Sequence, residues 1–265
     1  MPYYKKDNIL FLHIPKTGGM SIESTIFENK STILNEKICP KYNVVQQHLT
    51  YKQIKNMYNF DWKSLFTLKN PYTKVISDWE NIFVFAFVRN PYTRIVSEYS
   101  KHWSNSFDSF EHFINTIKND YRNPKYNNHL IPQTEFIYYK NNNVCDFVGR
   151  QENYEKDYYK LCDILNIDKP MKFVNKWKKD SSAVNSIKDN KDIRNTIYEM
   201  YKKDFDLLSK YLEASGGMTS AYETFNQDSG SGTGKMIDGG SPGNTAPLVD
   251  DEAEAQAVDI NSWTE

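Results

Sequence analysis

Apolar residues fall in short blocks separated by polar turns. Ile9–Ile14 is a compact apolar run, followed by Pro15-Lys16-Thr17-Gly18-Gly19 and then by Ser21–Phe27 at helical spacing. That order predicts strand, glycine loop, helix. Tyr42–Val45 is a weak second strand. Thr50 begins a helix with Tyr51, Ile54, Met57 and Tyr58 on one face. Ile82–Val88 is the most hydrophobic run, suited to a central parallel strand buried on both faces. Arg89-Asn90-Pro91 ends it, and a helix follows over Tyr92–His102 with proline in the first turn, where it is tolerated. Phe107–Ile117 predicts a further helix, Val144–Val148 a strand, Tyr154–Leu165 a helix and Phe173-Val174 a last short strand. Asp192–Leu212 predicts one long helix, with Ile193, Ile197, Tyr201, Phe205 and Leu208 apolar. Alternating strands and helices predict an α/β layered fold around a parallel sheet.

Periodicity stops after Leu212. Eight of the 11 glycines lie beyond Ala214, with nine acidic residues and one lysine. We therefore divide the 265-residue chain into a folded domain, 1–213, and an acidic Gly/Ser-rich tail, 214–265, expected to be disordered. The overall charge of −1 hides the split: −8 in the tail leaves +7 on the body, which suits anionic ligands. The tail segment Gly230–Met236 (GSGTGKM) half resembles a Walker A loop. Its first glycine is misplaced and no strand precedes it, so it reads as chance composition. Three cysteines in no C-x-x-C pattern argue against a disulfide framework or structural zinc. No stretch approaches the ~18 apolar residues of a membrane span, and Ile9–Pro15 is too short for a signal segment. The chain reads as soluble and cytoplasmic. KNPYTKVISD (Lys69–Asp78) echoes RNPYTRIVSE (Arg89–Glu98) 20 residues later. Only the second copy follows a strong strand, so it is the one expected in a site.

The first loop has the makings of a phosphate cradle. Helix-start N–H groups carry partial positive charge, and Gly18 and Gly19 permit close backbone approach. Thr17 and Ser21 add hydroxyls, and Lys16 a mobile charge. A tight turn with a solvated lysine would read the same way. Arg89, at the carboxyl end of the buried strand, and Ser97, two turns along the next helix, would suit a second phosphate. An Arg89–carboxylate pair with Ser97 on the surface is the alternative. Of the five histidines, His48 alone lies in a polar stretch just before a helix. His13 reads as a satisfied core histidine, and His102, His112 and His129 as structural or solvated. Arg150 and Glu152 read as an ionic brace or as ligand contacts. Asn175–Lys179 reads as a solvated basic face or as a wall for an anion.

FLHIPKTGGMSIE (Phe11–Glu23) and FAFVRNPYTRIVSEY (Phe85–Tyr99) resemble the two signature loops of sulfotransferases that use 3′-phosphoadenosine 5′-phosphosulfate (PAPS). The resemblance is to the carbohydrate branch, which includes the heparan sulfate O-sulfotransferases. QHLTY (Gln47–Tyr51), PQTEFIY (Pro132–Tyr138), DFVGRQEN (Asp146–Asn153) and Y-x-x-DFDLL (Tyr201–Leu208) follow in that family's order. The resemblance implies a three-layer, P-loop nucleotide-hydrolase-like fold with PAPS as donor and PAP as product. Lys16, Thr17, Gly18, Gly19, Met20 and Ser21 would hold the 5′-phosphosulfate, and Arg89 and Ser97 the 3′-phosphate. Lys16 would stabilise the leaving phosphate, and His48 would serve as general base toward a carbohydrate or other hydroxyl. Met20 departs from the small residue or threonine usual there. No metal, nucleic acid or membrane partner is implied. A nucleotide-binding module of the same fold without turnover, or an ATP-dependent kinase, stays open as an alternative. The kinase would need a lysine after the glycines, and here it precedes them. Deleting residues 214–265 is expected to leave the melting temperature of the domain unchanged, as checked by calorimetry on the truncated chain.

Overall fold

The computed structural model describes residues 3–27, 37–58, 76, 78–174 and 180–214, with side chains through Lys210. The repeat copy at Lys69–Asp78 (save Ile76 and Asp78), the basic run 175–179 and the tail beyond Ala214 lie outside the described residues.

The main sheet has four strands. β1 (Tyr3–Tyr4) pairs antiparallel with β2 (Ile9–Leu12). α1 (Gly19–Ile26) follows the glycine loop. β3 (Ile38–Cys39) and β4 (Val44–Val45) form a separate antiparallel pair, so the expected second strand never joins the main sheet. A 3₁₀ turn, Gln46–His48, leads into α2 (Tyr51–Tyr58). β5 (Phe83–Val88) lies parallel to β2 and is followed by α3 (Pro91–Glu98), which continues as a π-turn over Tyr99–Trp103. α4 is Phe110–Ile117. A short α5 (Thr134–Ile137) leads into the hairpin β6 (Tyr138–Tyr139) and β7 (Asn142–Asn143). β8 (Phe147–Arg150) completes the sheet parallel to β5, some three residues later than the apolar run Val144–Val148 suggests. α6 (Tyr154–Leu165), α7 (Ser181–Asp189), α8 (Lys191–Met200) and α9 (Lys202–Ala214) follow.

Strand alternation explains the layers. Leu10, Leu12, Val84, Ala86 and Val88 point to one face and pack with Ile54 and Met57 of α2, Phe136 of α5 and Leu207 and Leu208 of α9. Ile9, Phe11, Phe85 and Phe87 point to the other and pack with Ile22 and Ile26 of α1 and Tyr158 and Leu161 of α6. Helices thus cover both faces of a mostly parallel sheet, as expected. A third cluster, mostly helical, joins Ile95 and Val96 of α3 to α4, α7 and α8.

Two sequence expectations change here. Asp192–Leu212 is two helices, broken at Tyr201, whose φ of −120° and ψ of 23° leave the helical region. The break is accompanied by a hydrogen bond from the buried Tyr201 hydroxyl to the Leu130 carbonyl, 2.8 Å. Phe173-Val174 forms no strand. Its backbone crosses α1 instead, with Val174 N donating to Ser21 Oγ at 3.0 Å.

The closing segment braces the strand end. Asp204 is fully buried, and its carboxylate accepts from Gln133 N (2.8 Å), Thr134 N (2.9 Å) and Thr134 Oγ1 (2.9 Å), capping α5. Burial raises its pKa despite the Arg94 charge and these hydrogen bonds. The Gln133 carboxamide then pairs twice with the Arg89 backbone, accepting from N at 2.8 Å and donating to O at 2.7 Å. Asp204→Ala strands two buried N–H groups and a hydroxyl, at about 1–3 kcal/mol each. We expect a loss of about 3 kcal/mol or more, measured as a lower urea midpoint at unchanged m-value.

Candidate active site

The parallel strands bring their carboxyl ends to one rim, with Leu12 beside Ala86 and Val88 beside Arg150. In such sheets ligands bind at this rim. Here β2 delivers the loop Pro15–Gly18, and β5 delivers Arg89.

The loop takes two left-handed residues, Lys16 (φ 68°) and Gly18 (φ 89°). A lysine there costs about 1 kcal/mol, and two arginines offset it. Arg89 Nη1 donates to Lys16 O at 3.1 Å, while its Nε holds Thr93 Oγ1 at 2.9 Å. Arg94 Nε donates to Pro15 O at 3.1 Å, Nη1 to Ile131 O at 3.0 Å and Nη2 to His129 O at 2.7 Å. Both arginines are buried. Gly18 accepts at its carbonyl from Ser21 N (3.0 Å) and from the Tyr154 hydroxyl. A Cβ at Gly18 would stand 2.7 Å from that hydroxyl oxygen, and one at Gly19 would fall inside the His13 ring. Each glycine of the loop therefore has a steric reason.

The expected donors are differently disposed. Thr17 is fully buried and donates its hydroxyl to Ile14 O at 2.9 Å, and the Ser21 hydroxyl is engaged by the Val174 backbone. No side chain caps α1; its positive end lies at the loop, with Ser21 N already donating to Gly18 O at 3.0 Å. Met20 turns its side chain to solvent, 53% exposed. Lys16 is partly buried; burial lowers its pKa, the Glu98 carboxylate opposes that, and Arg89 and Lys101 add to it. Ser97 is buried on α3, one turn beyond Thr93.

His48 is set by its neighbours. α2 begins with a capping box, in which Thr50 Oγ1 accepts from Gln53 N (3.2 Å) and Gln53 Oε1 accepts from Thr50 N (2.8 Å). Asn127 and Asn128, both left-handed, form a turn against it. Asn128 Nδ2 donates to His48 O and to Gln53 Oε1, 2.9 Å each. Nδ1 of His48 lies 3.1 Å from His129 Nε2 and 3.3 Å from Asn127 Nδ2. The His13 ring meets His48 edge-on at 5.5 Å, and its own Nδ1 is 2.5 Å from Glu23 Oε1, with Gln47 Nε2 at 2.9 Å. Burial first, then the charges of His129, His13 and His102, hold the His48 pKa well below 6.5.

The structure thus joins Lys16, Arg89 and the start of α1 at one rim, and links His48 to that rim through His13 and His129. Sequence reasoning missed Arg94, Glu98, His129 and Gln133. The sequence places His129 in a loop, structural or solvated, and His102 on a helix surface, where the structure has it exposed in the π-turn. Glu98, His102 and His129 bring one ligand-type atom each within 4.8 Å of one another. That trio has the composition of a divalent-metal site, but Lys16 and Lys101 bring positive charge to it, and Glu98 and His129 already satisfy each other at 2.9 Å. We read it as a hydrogen-bonded cluster. The Arg150 guanidinium pairs with Asp157 at 3.1 Å and Glu152 Oε1 accepts from Asn90 N at 2.6 Å, so both brace the rim.

A family model described as "Sulfotransferase family" matches residues 3–211. No curated protein and no solved structure matches the chain. Among the described residues no helix is long and apolar enough to cross a membrane.

Glu98 gives a pH prediction. Burial alone would raise its pKa, but the charge and hydrogen bond of His129, with His102 and Lys16, bring it down from 4.5 to about 2. A depressed carboxylate stabilises the fold fully above its unfolded value, and that contribution is lost as pH falls through the folded value. Between pH 4.5 and 2 the melting temperature of Glu98→Gln should therefore fall less steeply than that of the wild type.

Proposed function

The chain belongs to the sulfotransferase family, and from that premise we propose that it transfers the sulfuryl group of PAPS to a hydroxyl of a carbohydrate acceptor. The contact that carries this reading is Arg89 Nη1 on the Lys16 carbonyl. It ties the two signature loops into one basic rim, as a donor with phosphates at both ends requires. The loop between the first parallel strand and α1 supports a P-loop-like assignment of the fold.

The roles follow from position. The backbone N–H groups at the start of α1, with Lys16, hold the 5′-phosphosulfate. Gly18 and Gly19 shape the loop by leaving room for Tyr154 and His13, while Thr17 and Ser21 fix it through Ile14 O and Val174. Met20 contributes its backbone. Arg89 and Ser97 hold the 3′-phosphate. As in phosphoryl transfer, catalysis is mainly in-line positioning and charge stabilisation. Lys16 neutralises charge growing on the departing phosphate oxygen. His48 accepts the acceptor hydroxyl's proton, an effect worth roughly 10²–10⁴-fold. Its depressed pKa keeps the imidazole neutral at pH 6.5 and above.

Radiolabelled sulfate transfer to a glycan panel tests this directly. We expect Lys16→Ala and His48→Ala each to lose about 10²-fold or more in kcat. Full activity in both variants sinks the role assignment. Because His48 stays unprotonated into acid, the acid limb of kcat/KM should lie below pH 6.5. Calorimetry should detect adenosine 3′,5′-bisphosphate and not ATP–Mg; the reverse favours a kinase.

A further inference from the structure

Glu98 ends α3, buried, with 2% of its side chain exposed. The wide π-turn that follows brings Trp103 back, and its Nε1 donates to Glu98 Oε1 at 3.1 Å. The other oxygen, Oε2, lies 2.9 Å from His129 Nδ1. The far nitrogen of that ring, Nε2, lies 3.1 Å from His48 Nδ1. A carboxylate and two imidazoles thus form a line from the helix end to the residue read above as the base.

We propose that Glu98 is the positioning residue of this site: it fixes His129 as the Nδ1–H tautomer, which fixes His48 as Nδ1–H and leaves His48 Nε2 as the basic nitrogen. The inference rests on the reading of His48 as proton acceptor. The argument is one of donors and acceptors. An ionised carboxylate only accepts, so His129 must donate from Nδ1. With that single proton on the ring, the lone pair lies at Nε2, and the atom facing it, His48 Nδ1, supplies the hydrogen. Asn127 Nδ2 approaches the same Nδ1 at 3.3 Å, its amide oriented by Val45 N donating to Oδ1 at 2.5 Å. That neutral contact is the longer one. At His48 Nδ1 the two contacts are 3.1 Å to His129 and 3.3 Å to Asn127, and the longer one is the one this tautomer gives up.

The proton balance is simple. The acceptor O–H bond breaks and an Nε2–H bond forms on His48. The Nδ1–H stays on His48, shared with His129, and no proton reaches Glu98. The resulting imidazolium lies one ring from a carboxylate, in surroundings otherwise set by His13 with Glu23, His102, Lys16, Lys101 and Arg89. Glu98 is the carboxylate at the end of this line.

The test is ¹⁵N NMR of the histidine-labelled full chain at pH 7, assigned with single His→Gln variants. The expected pattern is one protonated nitrogen per ring, Nδ1 in both His129 and His48. A proton on His48 Nε2, or on both nitrogens of His129, overturns the proposal. In Glu98→Gln the amide can donate as well as accept, so His48 should shift to a mixture of tautomers. An unchanged His48 spectrum in that variant also overturns it. Should Glu98→Gln fail to fold, the wild-type spectrum still decides. His48→Ala in the transfer assay separates the two readings: retained turnover removes His48 as base, whereas lost turnover with the wrong tautomers removes only the role of Glu98.

Discussion

Two buried guanidiniums hold the glycine loop to the end of the central strand. Arg89 and Arg94 project from the turn and helix that follow β5, and they grip the carbonyls of Lys16 and Pro15, which follow β2. Without them Lys16 has little reason to keep a left-handed backbone. A guanidinium is suited to this work because its rigid, planar set of N–H donors can bond several carbonyls at once. Arg94 uses three of them on two segments, so the loop and the His129–Ile131 stretch share one anchor.

Burying that much positive charge needs compensation. Asp204 faces Arg94 from α9, and its carboxylate also caps α5. Gln133, at the start of α5, clamps both backbone groups of Arg89. The weaker sequence matches at PQTEF and DFD thus have a mechanical meaning. They are the far side of the clamp that aims the strand end.

The rim itself is a balance of opposite tendencies. Lys16, Arg89 and Lys101 favour anions, and burial pushes the lysine toward neutrality. Glu98 works against that push and remains ionised because His129, His102 and Lys16 surround it. Burial and the charges of His129, His13 and His102 hold the His48 pKa down.

Local chemistry made much of this legible in the sequence. The strand–glycine–helix order at Ile9–Phe27, the buried run ending at Arg89 and the Thr50 cap depend on neighbours a few residues apart, where spacing and turn chemistry decide the outcome. The covering of both sheet faces followed from alternation. Tertiary structure alone decided the rest. Every residue of α3 is buried, so Arg94 and Glu98, polar positions that a surface helix would give to water, instead face the loop and the histidines. His129 lies 31 residues from Glu98 and 81 from His48, and no periodicity encodes contacts at that range. Thr17 and Ser21 look like free donors in one dimension. In three their hydroxyls are taken by Ile14 and Val174, because a buried polar group must find a partner within the fold.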